Sequence, residues 1–287
     1  MSENKTNLNE GDHSKKINYS KLFHLSGKVA VVTGGAGILG QHFCSALAES
    51  GADVAVVDIE EDKARKFADK ISKLYGIKAD GFHCDVSNPK SVQEMVSTVL
   101  ASFGEINILH NNAATKSDNL ESFFASFEQY SLRQWRRVMS VNLDGMFLVA
   151  QAVGKKMIEQ GNGGSIIQTA SIYGLRAPNQ KIYKKSFYLD REINTPAVYT
   201  ASKAAVIGLT KHLASYWAKK GIRVNTLTPG GTESGQNDEF KSRYSSHVPM
   251  GRMANASEIA GALLYLASDA SSYVTGQNII VDGGWSI

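Results

Sequence analysis

Short runs of valine and isoleucine alternate along the chain with longer stretches whose apolar residues recur at helical spacing. KVAVVT (28–33) and DVAVVD (53–58) are almost wholly apolar inside. Strands buried on both faces have this composition, whereas a strand with one wet face alternates. ILGQHFCSALAESG follows the first run and reads as a helix stopped by Gly51; EEDKARKFADKISKLYG follows the second. KADGFHCDV, the helical SVQEMVSTVLASFG and the strand INILHN (106–111) come next. One long helical stretch covers 131–160, GNGG turns the chain, and SIIQTAS reads as a strand. The helix YTASKAAVIGLTKHLASYWAKK (199–220), the strand IRVNTLTP, the helix ASEIAGALLYLAS and the strand QNIIVDGG complete the series. Buried strands separated by helices predict an α/β fold. Its core is a doubly wound, Rossmann-type parallel sheet of about seven strands with helices on both faces. Crossovers are then right-handed.

Two segments break the rhythm. Residues 175–196 (LRAPNQKIYKKSFYLDREINTP) show no period and are long for a connection, and 230–251 is irregular and polar. Long loops in compact domains are commonly functional. The N-terminal residues 1–21 are polar and lack an apolar signal-peptide core, so they read as a tail. Residues 22–287 then form one catalytic domain carrying an insertion near 175–196.

Composition removes several alternatives. Of 287 residues, 43% are hydrophobic and 20% charged, which suits a chain with a sizeable core. The net charge is only +4, with both signs dispersed, so neither nucleic acid nor a membrane surface is an expected partner. Cys44 and Cys84 have no CxxC companions, so a metal site or disulfide framework is not expected. Two reduced thiols and no membrane-length apolar run point to the cytoplasm.

The first chemical signal is TGGAGILG (33–40), placed between the first strand and first helix. Gly34, Gly37 and Gly40 permit a tight turn, close approach to a pyrophosphate and helix-on-strand packing. With Ile38 and Leu39 they open the helix, whose N-terminal N–H groups suit phosphates. Asp58 ends the second strand and is followed by Ile59. A carboxylate there accepts from the ribose hydroxyls and repels a 2′-phosphate, and the glycine loop holds no lysine or arginine. NAD rather than NADP is therefore expected.

The second signal occurs twice: Tyr199 with Lys203, and Tyr216 with Lys220. Residues at i and i+4 share a helix face. A neighbouring ammonium favours the phenolate and lowers a phenol pKa from about 10. Seventeen residues of helix separate the two tyrosines by about 25 Å, so both pairs cannot serve one substrate. Tyr216 and Trp217 read as packing residues, and Lys219 and Lys220 as helix C-terminal charges before Gly221.

In combination the chain resembles the short-chain dehydrogenases/reductases over roughly 25–287. The resemblance rests on the glycine loop, CDV with Asp85, NNAA (111–114), VNLDG with Asn142, TASIYG with Ser171, YTASK, TPGG and GQNIIVDGG. It implies that Asp85 and Val86 flank the adenine, and that Asn112, Ala113 and Ala114 line the cofactor. Pro229, Gly230 and Thr232 would cradle the nicotinamide end. Tyr199 would be the general acid/base, with Lys203 its tuner and the grip on the nicotinamide ribose. Ser171 would hold the substrate oxygen, and Asn142 a water relaying protons from Lys203.

The chain departs from the family pattern in three places. Ala114 replaces the usual glycine. The loop glycine is Gly37, where most single-domain members have it at the position of Ile38. That spacing is like the extended branch of nucleotide-sugar epimerases and dehydratases, yet no large C-terminal domain follows. Third, 28 residues separate Ser171 from Tyr199. The insertion must therefore lie beside the active-site mouth. It carries Arg176, Lys181, Lys184, Lys185 and Arg191 against Asp190 and Glu192, interleaved with Tyr183, Phe187 and Tyr188. Aromatics and cations suit a sugar, polyol or anionic substrate, and an oligomer contact is the alternative. Insertions with a segment like APNQKIY are similar to those of bacterial members linked to surface-carbohydrate and flagellin-glycan synthesis.

The expected activity is NAD(H)-dependent interconversion of a secondary alcohol and a ketone on a sugar or polyhydroxy compound. An epimerase/dehydratase with held NAD and a non-catalytic NAD-binding protein are the alternatives. The resemblance also implies a homotetramer or homodimer, with the helices at 131–160 and 197–220 in an interface.

Overall fold

The computed structural model describes residues 18–116, 119–188 and 191–287. Nine strands and nine α-helices follow in chain order among these residues. The first half contains β1 Val29–Thr33, α1 Ile38–Glu49, β2 Asp53–Asp58, α2 Glu61–Tyr75, β3 Ala79–His83, α3 Pro89–Phe103 and β4 Ile108–Asn111. Then come α4 Leu120–Phe123, α5 Leu132–Met139, α6 Gly145–Gln160, β5 Gly164–Thr169, the two-residue strands β6 Phe187–Tyr188 and β7 Arg191–Glu192, and α7 Ala197–Trp217. The chain closes with β8 Ile222–Pro229, α8 Asp238–Ser245, α9 Ala256–Ala267 and β9 Asn278–Val281.

Seven strands form one parallel sheet in the order β3-β2-β1-β4-β5-β8-β9, the Rossmann-type arrangement expected of the apolar runs. Side chains alternate across each strand. Ala30 and Val32 of β1 therefore face one core with α1, α2 and α9, while Val31 faces the other with α3, α6 and α7. Both faces are covered, which is why the strands carry no polar alternation. The strand order reverses between β1 and β4, and ligands of open α/β sheets bind outside the carboxyl ends at such a switch.

Three expectations change. The stretch 131–160 is not one helix: a π-turn at Ser140–Asp144 separates α5 from α6. Segment 230–251 is not wholly irregular, since α8 lies within it. Asn237 caps α8 by accepting from the Phe240 N–H, and Phe240 and Tyr244, four residues apart, are buried. Trp217 packs as expected, against Gly154, but Tyr216 is 71% exposed; it stacks on His212 and meets its neighbour Trp217 at a tilt. Adjacent residues lie about 100° apart round a helix, so Trp217 takes the buried face of α7 and Tyr216 the solvent side.

The tail residues 1–17 lie outside the described residues; Tyr19–Phe23 form a 3₁₀ turn. Within the insertion, Gln180–Tyr183 make a 3₁₀ turn and β6 pairs antiparallel with β7. Asp190 lies outside the described residues. No described helix is long and apolar enough to cross a membrane.

Candidate active site

A cleft of about 590 Å³ opens at the carboxyl ends of β1, β2, β4, β5 and β8. Its floor is a seam between β1 and β4. Thr33 Oγ1 accepts from the backbone nitrogens of Asn112 and Ala113, and Asn112 Nδ2 donates to the Thr33 carbonyl. Gly34 must be glycine twice over. Its φ is +64°, and a Cβ there would stand 3.0 Å from Ala113 Cα. A Cβ on Gly40 would run into the Gly34 carbonyl. At Gly37 a Cβ would meet only that oxygen, at 3.3 Å, and otherwise project into open space. Gly37 is the N-cap of α1, so the helix start faces the cleft. A backbone cradle open at a helix N-terminus fits a pyrophosphate.

Asp58 stands at the end of β2 in the cleft wall. Its carboxylate already orders the loop: Oδ2 accepts from Ala36 N at 3.0 Å and Oδ1 from Glu60 N at 3.2 Å. Each oxygen has a further lone pair for a ligand hydroxyl. Lys63 does not face the cleft; it pairs with Glu60 at the surface. Ile38, Leu39, Ile59, Asp85, Val86, Ala114, Pro229, Gly230 and Thr232 all line the cleft, as do Gly34, Gly37, Gly40, Asn112 and Ala113. Asp85 is held by Ser87, whose hydroxyl donates at 2.6 Å; that bond, with Arg137 nearby, keeps the carboxyl below its usual range.

Ser171, Tyr199 and Lys203 meet at the inner end. Ser171 follows β5, and Tyr199 and Lys203 occupy successive turns of α7. Lys203 is 2% exposed, and its Nζ donates to the Thr169 carbonyl at 2.9 Å and lies 5.9 Å from the Tyr199 ring centre. Burial lowers the Lys203 pKa to about 8. Burial raises that of Tyr199, and a hydrogen bond with the Ser171 side chain partly offsets the rise. The expected lowering of the Tyr199 pKa by Lys203 is thus not the governing effect. The amine is turned to a β5 carbonyl beside the ring, and dehydration of the phenolate outweighs it.

Asn142 does not line the cleft. It is fully buried in the π-turn, where its Oδ1 accepts from Thr115 N at 2.8 Å. Its Nδ2 finds no protein partner among the described residues. Inserting one residue into a helical turn re-aims a side chain, and π-turns concentrate at functional sites.

A second cavity, of about 230 Å³, adjoins the first and shares Lys116, Ser171, Tyr199 and Gly230 with it. Its walls are aromatic and hydroxylic: Tyr173, Tyr183 and Tyr244 face Phe123, Phe124 and Phe240. The insertion reaches this cavity, as its length implied, through Tyr183 and residues 193–196. Its cations do not. Arg176 pins the Ser286 carbonyl at 2.6 Å, and Lys181, Lys184 and Lys185 are exposed and line neither cavity. Long, strongly hydrated side chains stay outside unless a partner draws them in. Sequence reasoning missed Lys116, Arg137 and Thr169 in the cleft, and the whole α8 wall of the second cavity. The paired Phe240 and Tyr244 behind the capping Asn237 were its legible signal.

Fold and cleft together define an α/β dinucleotide-binding protein with a Ser–Tyr–Lys site at its inner end. A family model described as "Enoyl-(Acyl carrier protein) reductase" matches residues 34–286. The chain is 38% identical over 274 residues to a D-threitol dehydrogenase of Mycolicibacterium smegmatis, covering 92% of this chain and 95% of that protein. A solved short-chain type dehydrogenase/reductase from Mycobacterium marinum superposes with a TM-score of 0.83 at 35% identity, covering 93% of this chain and 98% of that one. A gluconate 5-dehydrogenase from Burkholderia cenocepacia J2315, solved with NADP and tartrate, gives 0.81 at 33% identity and covers 93% and 98%. The chain belongs to the short-chain dehydrogenases/reductases, a family of oxidoreductases that bind a nicotinamide dinucleotide.

Proposed function

We propose that this protein is an NAD(H)-dependent dehydrogenase/reductase that interconverts a secondary alcohol and a ketone on a sugar or polyol. The carrying observation is that Ser171 and Tyr199 line both cavities, the glycine-cradled cleft and the aromatic chamber beside it. A reacting carbon held between the two meets the proton donor and the cofactor together. The names of the relatives, a threitol and a gluconate dehydrogenase, support a polyhydroxy substrate.

A bound nicotinamide dinucleotide supplies the hydride acceptor or donor. The chain's own residues hold and protonate. Gly34, Gly37, Ile38, Leu39 and Gly40 would receive the pyrophosphate. Asp58 and Ile59 would take the adenosine ribose, and Asp85 and Val86 the adenine. Asn112, Ala113, Ala114, Pro229, Gly230 and Thr232 would flank the nicotinamide half. Ser171 holds the substrate oxygen while its charge changes. Tyr199 gives it a proton in reduction and takes one in oxidation. Lys203 sits beside the phenol and within the same cleft, suited to a ribose hydroxyl. The orphaned Nδ2 of Asn142, buried in the π-turn, supports a water-holding role for that residue.

NAD is favoured by the Asp58 carboxylate in the wall and by the ion pair that occupies Lys63. The NADP-bound relative makes this the point to measure. Residues 22–287 are read as one catalytic domain behind the polar tail 1–21. A cytoplasmic homotetramer or homodimer fits the two buried free thiols and the exposed Leu132, Phe147 and Tyr216 on α5, α6 and α7.

A screen of sugars, polyols and keto-sugars with NAD(H) and NADP(H), followed by nicotinamide absorbance, tests this reading. Turnover of a polyol or keto-sugar with preference for NAD supports it. Isolated protein that carries cofactor and epimerises or dehydrates a nucleotide sugar without added NAD overturns it.

A further inference from the structure

The insertion places one aromatic ring in the second cavity, and its hydroxyl belongs to a chain of three. Tyr183 Oη donates to Tyr173 Oη at 2.8 Å and lies 2.6 Å from Thr195 Oγ1. Packing fixes both rings: Tyr183 stacks on Phe240 at 5.6 Å, and Tyr173 meets Trp285 edge-on at 5.6 Å. A phenol carries one proton. Tyr183 gives its own to Tyr173, so its contact with Thr195 requires the threonine hydroxyl as donor. The chain runs one way, from Thr195 through Tyr183 to Tyr173. Among the described residues the Tyr173 hydroxyl has no hydrogen-bond partner besides Tyr183, so its own proton is left over. Buried polar hydrogens are normally spent.

Tyr173 lines the same cavity as Ser171 and Tyr199. Across it, Tyr244 Oη accepts from the Gly231 N–H at 2.5 Å, which leaves the Tyr244 proton unspent as well. Burial keeps the Tyr173 and Tyr183 phenols protonated, and both lie within electrostatic reach of Tyr199. The chamber therefore offers oriented O–H donors in an aromatic wall. Among the described residues, Lys116 is the one charged side chain that lines it. A neutral molecule with oxygens beyond its reacting carbon matches that lining, whereas a simple alkyl alcohol would leave the donors unpaired.

We propose that Tyr183 and Thr195 are positioning residues that aim the Tyr173 hydroxyl at a second oxygen of the substrate, so that the inserted segment selects polyhydroxy substrates over simple secondary alcohols. This rests on the reading that substrate reacts at Tyr199. Leaving a buried donor unpaired is what makes a hydrogen-bonding site reject an analogue lacking the oxygen.

The test compares D-threitol with 2-butanol, which has the same carbon chain and only the reacting hydroxyl. The readout is the ratio of the two kcat/KM values. Wild-type protein should favour D-threitol by about tenfold or more. Thr195→Val and Tyr183→Phe should reduce that ratio about tenfold, mainly through the D-threitol KM, and Thr195→Ser should restore it. Thr195→Val leaves every ring in place, so it separates the hydrogen bond from packing. A ratio preserved while both values fall would make the segment merely structural and overturn the inference. No preference in the wild type would overturn it and leave the proposed function standing. Turnover of no alcohol, polyol or keto-sugar with either cofactor would overturn both.

Discussion

Lys203 carries its amine 5.9 Å from the centre of the Tyr199 ring while donating to the Thr169 carbonyl at 2.9 Å. That placement is chemically useful and thermodynamically unfavourable. Burial lowers the Lys203 pKa from 10.5 to about 8. Between those values the unfolded chain binds the proton and the folded chain does not, so stability rises with pH across that window. Below it, the charged amine destabilises the fold by about 3 kcal/mol at the usual conversion. Lys203→Met loses the Thr169 bond, worth about 1 kcal/mol, and removes the larger penalty. Its urea midpoint at pH 7 should exceed that of the wild type, with activity lost. A less stable Lys203→Met would contradict the account.

The glycine loop separates two effects that are usually mixed. Gly37 has φ −73°, open to any residue, and its Cβ would need only a few tenths of an ångström from the Gly34 oxygen. Gly37→Ala should therefore fold with a near-native melting temperature but bind dinucleotide about tenfold or more weakly, since the methyl occupies the cradle. Gly40→Ala drives its methyl into backbone and should destabilise the protein by about 1–3 kcal/mol. Fluorescence titration and thermal melts distinguish the two. Native dinucleotide affinity in Gly37→Ala would show that Gly37 has no special relation to the ligand.

Asp58 holds the Ala36 N–H and lines the cleft. Asp58→Ala with Ile59→Arg should lower the NAD preference over NADP by about tenfold or more, as loss of carboxylate repulsion and gain of a cation predict. Because Ala36 also loses its acceptor, affinity for both cofactors should fall somewhat in Asp58→Ala alone. An unchanged ratio of the two kcat/KM values would remove Asp58 from the specificity role.

Acid should destabilise the protein through a residue remote from solvent. His110 in β4 is fully buried, its Nε2 paired with Thr169 Oγ1 at 2.9 Å and its ring edge-on to Phe43. Burial lowers its pKa from 6.5 to about 3. As pH falls through 6.5 the unfolded chain takes up a proton that the folded chain refuses, so stability drops by about 1.4 kcal/mol per unit. Urea unfolding at pH 7 and pH 5 should differ by about 2 kcal/mol from this group alone. His110→Gln should remove that part of the difference. Identical pH dependence in the two proteins would place the acid sensitivity elsewhere.

The sheet was readable because strands buried on both faces leave an unbroken apolar signature, as β1, β2 and β8 do. The cleft was readable because its chemistry depends on backbone geometry that only glycine permits, as at Gly34. The π-turn around Asn142 was not, because its local sequence still has helical periodicity; the extra residue is set by what Asn142 reaches, the Thr115 amide from another segment. The second cavity was half-legible. The spacing of Ser171 and Tyr199 located it, but its walls come from α4, α8 and the insertion, which only tertiary packing brings together. The insertion's lysines misled for the same reason: charge in a sequence says nothing of which side of a wall it occupies.

The measurement that bears most directly on the central claim is hydride transfer by Tyr199→Phe. The substitution removes one oxygen from a residue of α7 whose ring packs with the buried aromatic cluster, so the fold and the glycine cradle should survive. With the polyol or keto-sugar that the wild type turns over, kcat should fall about a thousandfold or more, while dinucleotide affinity by fluorescence titration stays within a few-fold. A variant that binds cofactor normally and keeps kcat within tenfold of the wild type would contradict Tyr199 as the acid/base of this enzyme.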